Sequence, residues 1–422
     1  MVPPAGFGDG VELGLGEGEA HSTNRSAQYR TLWEQLSLFS SQHCFLQAPD
    51  PLGKAGVDEG LITGGPRQGV LGDVLLEGLS DAEQLWKQVG QKVMDPLAPA
   101  MAGVLTLFVS PDGELNRIPF AALPAPGSRT LLGQAMQLRL LTTGRELLDL
   151  AQPPGKAQST ALVVANPAFG QLPRNAAAPA QAQERSSDLQ GPPFAPLPAT
   201  EQEGQAISTL TRGQLLSGTQ ATAAAVQSAP TPQILHIASH AFFRPDLPDK
   251  TPTADGLMDK RPPLAESPML RSGIALAGAN RNPLPGMASS SALAGEDSDD
   301  DGYLTALEVA QLNWKGTELV VISACESGTG ETRAGEGVYG LRRAIAVAGA
   351  RSSLLSLWKV SDEATAAFME AYYRRLKAGE GRAAALAATQ QSFRSHPNPT
   401  WRHPYVWAAF QLSGDWGPIQ GL

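Results

Sequence analysis

Leu319-Val-Val-Ile-Ser-Ala-Cys325-Glu-Ser-Gly328 begins as an unbroken apolar run, ends in a thiol and passes into a glycine-rich loop that leads to a segment of helical length, Gly335 to Ala348. An apolar run with no polar alternation reads as a strand covered on both faces, the pattern of a parallel sheet. Gln233-Ile-Leu-His-Ile-Ala-Ser-His240-Ala241 is a second run of the same kind, and its end presents a histidine. In open α/β sheets reactive groups collect just beyond the C-terminal ends of the strands. The two ends lie 85 positions apart (325 − 240), a gap that neighbouring parallel strands with a long crossover accommodate.

Further out, Val104 to Val109, Ala161 to Ala165, Leu215-Leu216, Gly273 to Leu276 and Ser352 to Trp358 are short apolar runs. Segments of helical length, such as Ser361 to Lys377, stand between them. The alternation predicts an α/β sandwich, with a mostly parallel central sheet and helices on both faces. A helix is expected over Asp81 to Asp95, stopped by Pro96, and another from Arg145 to Leu150. Asn175 to Pro198, rich in Ala, Pro, Gln and Ser, reads as a surface linker. Residues 1–80 are broken by Gly and Pro, with helical apolar spacing only at Tyr29, Leu32, Leu36 and Phe39. They read as an irregular N-terminal extension, the end of an upstream helical or repeat domain. No repeat of 20–50 residues is visible.

The chain has 422 residues, 42% hydrophobic, with a formal charge of -9. That acidity argues against a general nucleic-acid binder and against docking on anionic lipid. No apolar run reaches the roughly 18 residues needed to span a bilayer, and Met1 to Ala20 lacks the basic-then-apolar order of a secretion signal. The expectation is a cytoplasmic protein with no membrane and no nucleic-acid partner. Two cysteines, Cys44 and Cys325, build neither a disulfide framework nor a four-thiolate zinc site.

A thiol becomes a strong nucleophile as thiolate, and an adjacent imidazole can take its proton and later return it to a leaving amine. A lone cysteine after a strand, or a lone strand histidine, is ordinarily a packed core residue. Together at two strand ends of one sheet, His240 and Cys325 read as base and nucleophile, with the amides of Ala241 and Cys325 as oxyanion donors. His236 lies inside its apolar strand and reads as a buried, hydrogen-bonded histidine. Cys44, beside His43 in the irregular region, reads as an incidental thiol.

Several blocks occur in one order: Val109-Ser-Pro-Asp-Gly-Glu-Leu-Asn-Arg-Ile-Pro-Phe-Ala-Ala-Leu123, Leu235-His-Ile-Ala-Ser-His-Ala241, Asp301-Gly-Tyr-Leu-Thr-Ala-Leu-Glu308, Ile322-Ser-Ala-Cys-Glu-Ser-Gly-Thr-Gly330, Glu336-Gly-Val-Tyr-Gly340, Leu357-Trp-Lys-Val-Ser-Asp362 and Pro404-Tyr-Val-Trp-Ala-Ala-Phe410. In these blocks the chain resembles the CHAT-domain peptidases, including the HetF type of cyanobacteria, in the clan of caspases, separase and gingipain. The resemblance implies a caspase-like three-layer sandwich over residues 81–417, with a long loop insertion at 242–300. It also implies a cysteine endopeptidase that forms a thioester acyl-enzyme on a selective protein substrate. No organic cofactor is required, and a tetratricopeptide-type regulatory module or upstream domain is the implied partner. Ala241 departs from the glycine usual after the base, and Ser323 stands where a true caspase has Gln. The alternatives are an inactive or weak caspase-like interaction module, and a thiol acyl transferase acting on something other than a peptide.

Two acidic features keep double readings. Trp358 to Glu363 is similar to the wall of the primary specificity pocket in the clan. Trp358, Ser361 and Asp362 are therefore candidates for selecting Arg or Lys before the cleaved bond. Ser361 equally suits a helix cap, with Asp362 and Glu363 as an acidic first turn, and that reading is favoured. Asp297-Ser-Asp-Asp-Asp-Gly302, followed by Glu308, satisfies the calcium-loop pattern, with Asp297, Asp299, Asp301 and Glu308 as ligands. Against it, Ala288 to Glu296 makes a poor entering helix, and a solvated acidic run accounts for the same residues.

Overall fold

The computed structural model describes residues 83–422 apart from 112–114, 117, 171–193, 244–268, 270–271, 282–299, 324, 327–333 and 359. Its centre is an eight-stranded sheet in the order β1-β2-β12-β11-β9-β5-β3-β4. The strands are β1 (Thr106–Val109), β2 (Gln137–Leu140), β3 (Ser159–Pro167), β4 (Gln214–Gly218), β5 (Pro232–Ala238), β9 (Leu319–Ile322), β11 (Ser352–Ser356) and β12 (Phe410–Gly414). From β4 through β11 every pairing is parallel; β12 runs antiparallel to β11, and β2 and β1 follow β12 in parallel.

Strand residues alternate between faces, and each face has its own core. On one side Val163, Ile234, Val321 and Leu354 pack under the helices α2 (Pro198–Thr211), α6 (Asp362–Lys377) and α7 (Arg382–Arg394) through Ile207, Phe368, Tyr372 and Phe393. On the other, Val164, Leu235, Ile237, Val320 and Ile322 meet Val226 of α3 (Ala223–Ser228), Val309 of α4 (Ala306–Gln311), and Leu341 and Ile345 of α5 (Ala334–Ala348). Each such side chain, fully buried, stabilises the fold by about 1.5–3 kcal/mol. This is the three-layer sandwich expected from the apolar runs. Helix α1, residues 83–93, belongs to a third cluster over β1 and β2 that contains Trp86, Phe120 and Leu140.

A second, four-stranded sheet in the order β10-β6-β7-β8 grows from the end of the first. Its strands are β6 (His240–Phe243), β7 (Ser272–Ala275), β8 (Tyr303–Thr305) and β10 (Cys325–Glu326). It corrects two expectations. The run Gly273 to Leu276 is not a strand of the central sheet, and the 242–300 insertion is not simply a loop, because β7 lies within it and pairs with β6. The expected linker, Asn175 to Pro198, is corrected at its end, where Leu197 is buried and Pro198 opens α2. The N-terminal extension and Cys44 lie outside the described residues. Among the described residues no helix is long and apolar enough to cross a membrane.

Candidate active site

β5 and β9 pair with Ile237 opposite Ile322, and β6 and β10 pair with Cys325 opposite His240. Both pairs keep the same offset (322 − 237 and 325 − 240), so one register runs from the large sheet into the small one. Neighbouring strands lie about 4.8 Å apart, which brings the backbones of the two expected reactive residues side by side.

His240 is 5% exposed, and its ring sits against Phe169 (centroids 5.2 Å apart) and Phe194 (5.5 Å). Its Nε2 lies 2.8 Å from the carbonyl oxygen of Ala195. A carbonyl can only accept, so Nε2 carries a proton in every protonation state, and Nδ1 is the nitrogen that can take and return one. The residue before Ala195 is held: Phe194 N–H donates to Asn280 Oδ1 (2.9 Å), and Asn280 Nδ2 donates to the carbonyls of Phe194 (3.0 Å) and Gly170 (3.1 Å). Ser239 Oγ donates to the Ala275 carbonyl, anchoring β6 where it leaves β5.

Ala241 lies in β6 opposite Glu326 and Ile274, and it is not among the residues with positive φ. An alanine there carries no left-handed backbone penalty.

His236 is fully buried, with Nε2 3.0 Å from Glu203 Oε1 and Nδ1 3.2 Å from Tyr373 Oη. It supports the sheet from within, as its apolar surroundings suggested. Burial pushes the Tyr373 hydroxyl well above its ordinary pKa, with Tyr372 and Glu203 adding to the effect, so it keeps its proton and donates to the imidazole.

The segment after β11 leaves the sheet one strand away from Cys325. Trp358 is stacked between Trp86 (6.2 Å) and Tyr405 (6.1 Å) and donates from Nε1 to the Tyr405 carbonyl. Ser361 caps α6, its Oγ accepting from Ala364 N–H, and Asp362 is the first residue of that helix. The observed contacts of Ser361 are those of the capping reading.

The calcium pattern divides. Asp297 and Asp299 lie outside the described residues. Glu308 is spent on a capping box, Oε2 accepting from Thr305 N–H and Oγ1 (2.7 Å each), while Oε1 accepts from Gln227 (3.3 Å). Asp301 accepts from Tyr303 N–H. Among the described residues no group of three acids, histidines or thiols is placed to hold a metal ion.

Sequence reading missed Phe169, Phe194, Ala195, Asn280 and Glu203. The only available signal was Phe194, an aromatic set among prolines in Pro192-Pro-Phe-Ala-Pro-Leu-Pro198. In the structure that ring packs on Phe169 and His240 instead of lying in a solvated linker.

A family model described as CHAT domain matches residues 81–415. Tetratricopeptide repeat protein 28 of Homo sapiens is 28% identical over 317 residues, and its Mus musculus counterpart 27% over 323. Each alignment covers 72% of this chain and 12% of the relative, so the chain spans a small part of the length of the proteins it matches.

Proposed function

Because the chain belongs to the CHAT domain family, a caspase-like, peptidase-related family, we propose that it is a cysteine endopeptidase with His240 as base and Cys325 as nucleophile. The single observation that carries this reading is the register pairing of Cys325 with His240 across β10 and β6. The Ala195 carbonyl supports it by directing the basic nitrogen of His240 to Nδ1.

In this mechanism Nδ1 takes the Cys325 thiol proton, and the thiolate adds to the carbonyl carbon before the scissile bond. The amides of Ala241 and Cys325 hold the negative oxygen that forms. As the tetrahedral intermediate collapses, the imidazolium returns its proton to the departing amine and a thioester remains on Cys325. A water, deprotonated by Nδ1, then releases the acid and restores the thiol. No metal or organic cofactor enters these steps; the Asp297/Asp299/Asp301/Glu308 calcium site stays an unused alternative.

The substrate is a selected protein. Asp362, near the site by topology, is the candidate for preferring Arg or Lys before the cleaved bond, with Trp358 as the wall beside it, while Ser361 serves as the cap of α6. The repeat-protein names of the relatives support an upstream tetratricopeptide-type module as partner.

The test is an electrophilic peptide probe with arginine before its warhead, applied to the protein and to Cys325→Ala. Labelling lost in the variant supports the peptidase. A folded protein that takes no peptide probe, yet binds a partner, turns the reading to the interaction module. Transfer of an acyl group from a small donor turns it to the acyl transferase.

A further inference from the structure

Glu203 lies on the inner face of α2 and is 1% exposed. Its Oε1 is 3.0 Å from His236 Nε2 and accepts the Ser323 hydroxyl at 2.6 Å. His236 belongs to β5 and Ser323 directly follows β9, so one oxygen from the helix layer ties the two strands together. The tie falls four residues before His240 and two before Cys325. With the proton on Nε2, His236 donates to Glu203 and accepts from Tyr373 Oη. Oε2 of Glu203 is buried with no hydrogen-bond partner among the described residues.

A carboxylate sealed from water is costly even when half satisfied, and an apolar side chain would serve a plain core better. What an apolar side chain could not supply is register. Ile234, Leu235 and Ile237 face Leu319, Val320 and Ile322, and a slip of two residues would keep every side chain on its own face. Such a slip would carry Cys325 about 6.6 Å along from His240. At the far end of the same strands the register is tied by Thr317 Oγ1 donating to the Pro232 carbonyl and by Gln233 donating to Glu318 (2.7 Å each). Near the reactive end, among the described residues, the Glu203 clamp does this. Gly204 brings it within reach: a Cβ there would stand 2.5 Å from Ala165 Cβ, so α2 rests close against β3 and the Glu203 side chain reaches across to β5 and β9.

We infer that Glu203 is a positioning residue: by holding His236 and Ser323 in step, it sets the register in which Cys325 stands beside His240. The inference rests on the cysteine-peptidase reading and deepens it. A buried polar group that fixes register is the best-attested use of such a costly group.

The test uses Cys44→Ala, which leaves Cys325 as the one thiol of a two-cysteine chain. Iodoacetamide alkylation is followed against pH, with kcat and KM on a peptide substrate and thermal unfolding measured alongside. The parent should show a thiol titrating well below the roughly 8.5 of free cysteine. Glu203→Gln and Ser323→Ala should each move that titration up, slow alkylation at neutral pH about tenfold and lower kcat about 10- to 100-fold, with KM held within about twofold. Ser323→Thr, which keeps the hydroxyl, should restore most of the loss. If Glu203→Gln does not fold, the Ser323 pair carries the test. Folded variants that melt lower yet keep the parent's thiol titration and kcat overturn the inference and leave the peptidase reading intact. A parent Cys325 that alkylates like a free thiol overturns both.

Discussion

Two strands of the large sheet, β5 and β9, lead directly into β6 and β10 of the small one, yet the balance of forces that holds the two sheets differs. The inner strands of the eight-stranded sheet, β3, β5, β9 and β11, are largely apolar on both faces and sealed under helices, and most of their stability comes from burial, which has no preferred direction. The four-stranded sheet has strands of two to four residues. It too is buried, Ile274 and Leu304 packing in the core beneath the large sheet and Phe242, Ala275 and Tyr303 clustering with Phe169 and Leu197, and to that burial it adds directional ties: Asn280 on Phe194, Tyr303 Oη donating to the Ala279 carbonyl, and Ser239 on Ala275. At Gly302, where φ is +82°, a Cβ would stand 2.3 Å from the Ala279 nitrogen, so the turn into β8 requires glycine. Burial makes a scaffold that tolerates small shifts, whereas hydrogen bonds fix angles and distances, and catalysis depends on those. Apart from the Glu203 clamp across β5 and β9, damage to the first sheet should therefore appear mainly as lost stability and damage to the second mainly as lost activity.

The largest expected effect tests the second half of that division. Cys325→Ala should lower peptide hydrolysis by about 10⁴-fold or more while leaving the melting temperature within a few degrees. Ile237→Ala, in the heart of the large sheet, should cost about 2–5 kcal/mol in urea unfolding while the folded fraction keeps kcat within a few-fold. If kcat collapses with it, the two sheets are not separable. Asn280→Ala should do the reverse, lowering kcat about 10- to 100-fold by loosening Phe194, the residue beside Ala195, with a smaller loss of stability of about 1–3 kcal/mol.

Ser361→Ala should cost about 1 kcal/mol, the ordinary loss of a helix cap. If it instead changes the preference for arginine over alanine before the cleaved bond, Ser361 belongs to the pocket. The smallest effect concerns acid. Burial pushes the Asp415 carboxyl up, but Arg382, the Gly417 N–H and Arg351 outweigh it and hold its pKa below the usual range. A depressed carboxyl contributes stability above its unfolded pKa of about 3.9 and loses it as pH falls through the lower folded value. Acid melts of Asp415→Asn should therefore converge with those of the parent at the bottom of that window, and activity at neutral pH should not move.

The same division explains what could be read from the residues alone. β5, expected over Ile234 to Ala238, is found at Pro232–Ala238, and β9, expected over Leu319 to Ser323, at Leu319–Ile322. Long apolar runs announce themselves. β2, Gln137–Leu140, went unnoticed because it is half exposed and carries Gln and Arg. Gly273 to Leu276 was seen as a strand but placed in the wrong sheet, since composition marks a strand without naming its neighbours. At the site, His240 and Cys325 were legible as chemistry-bearing side chains. Ala195 acts through a carbonyl, which every residue has. Glu203 sits in Thr200-Glu-Gln-Glu203-Gly-Gln205, which reads as a solvated helix face, and only the packing of Gly204 reveals which acid turns inward.

β6 and β7 run antiparallel from His240 opposite Ala275 to Phe243 opposite Ser272, so the chain leaves for its long excursion and returns at one closed base. A protease cut inside that excursion would part the polypeptide without parting the protein, because both new ends stay woven into one fabric of strands. A nicked sample should run as two bands under denaturing electrophoresis and as one peak on a sizing column, and only loss of the fold should let the halves drift apart.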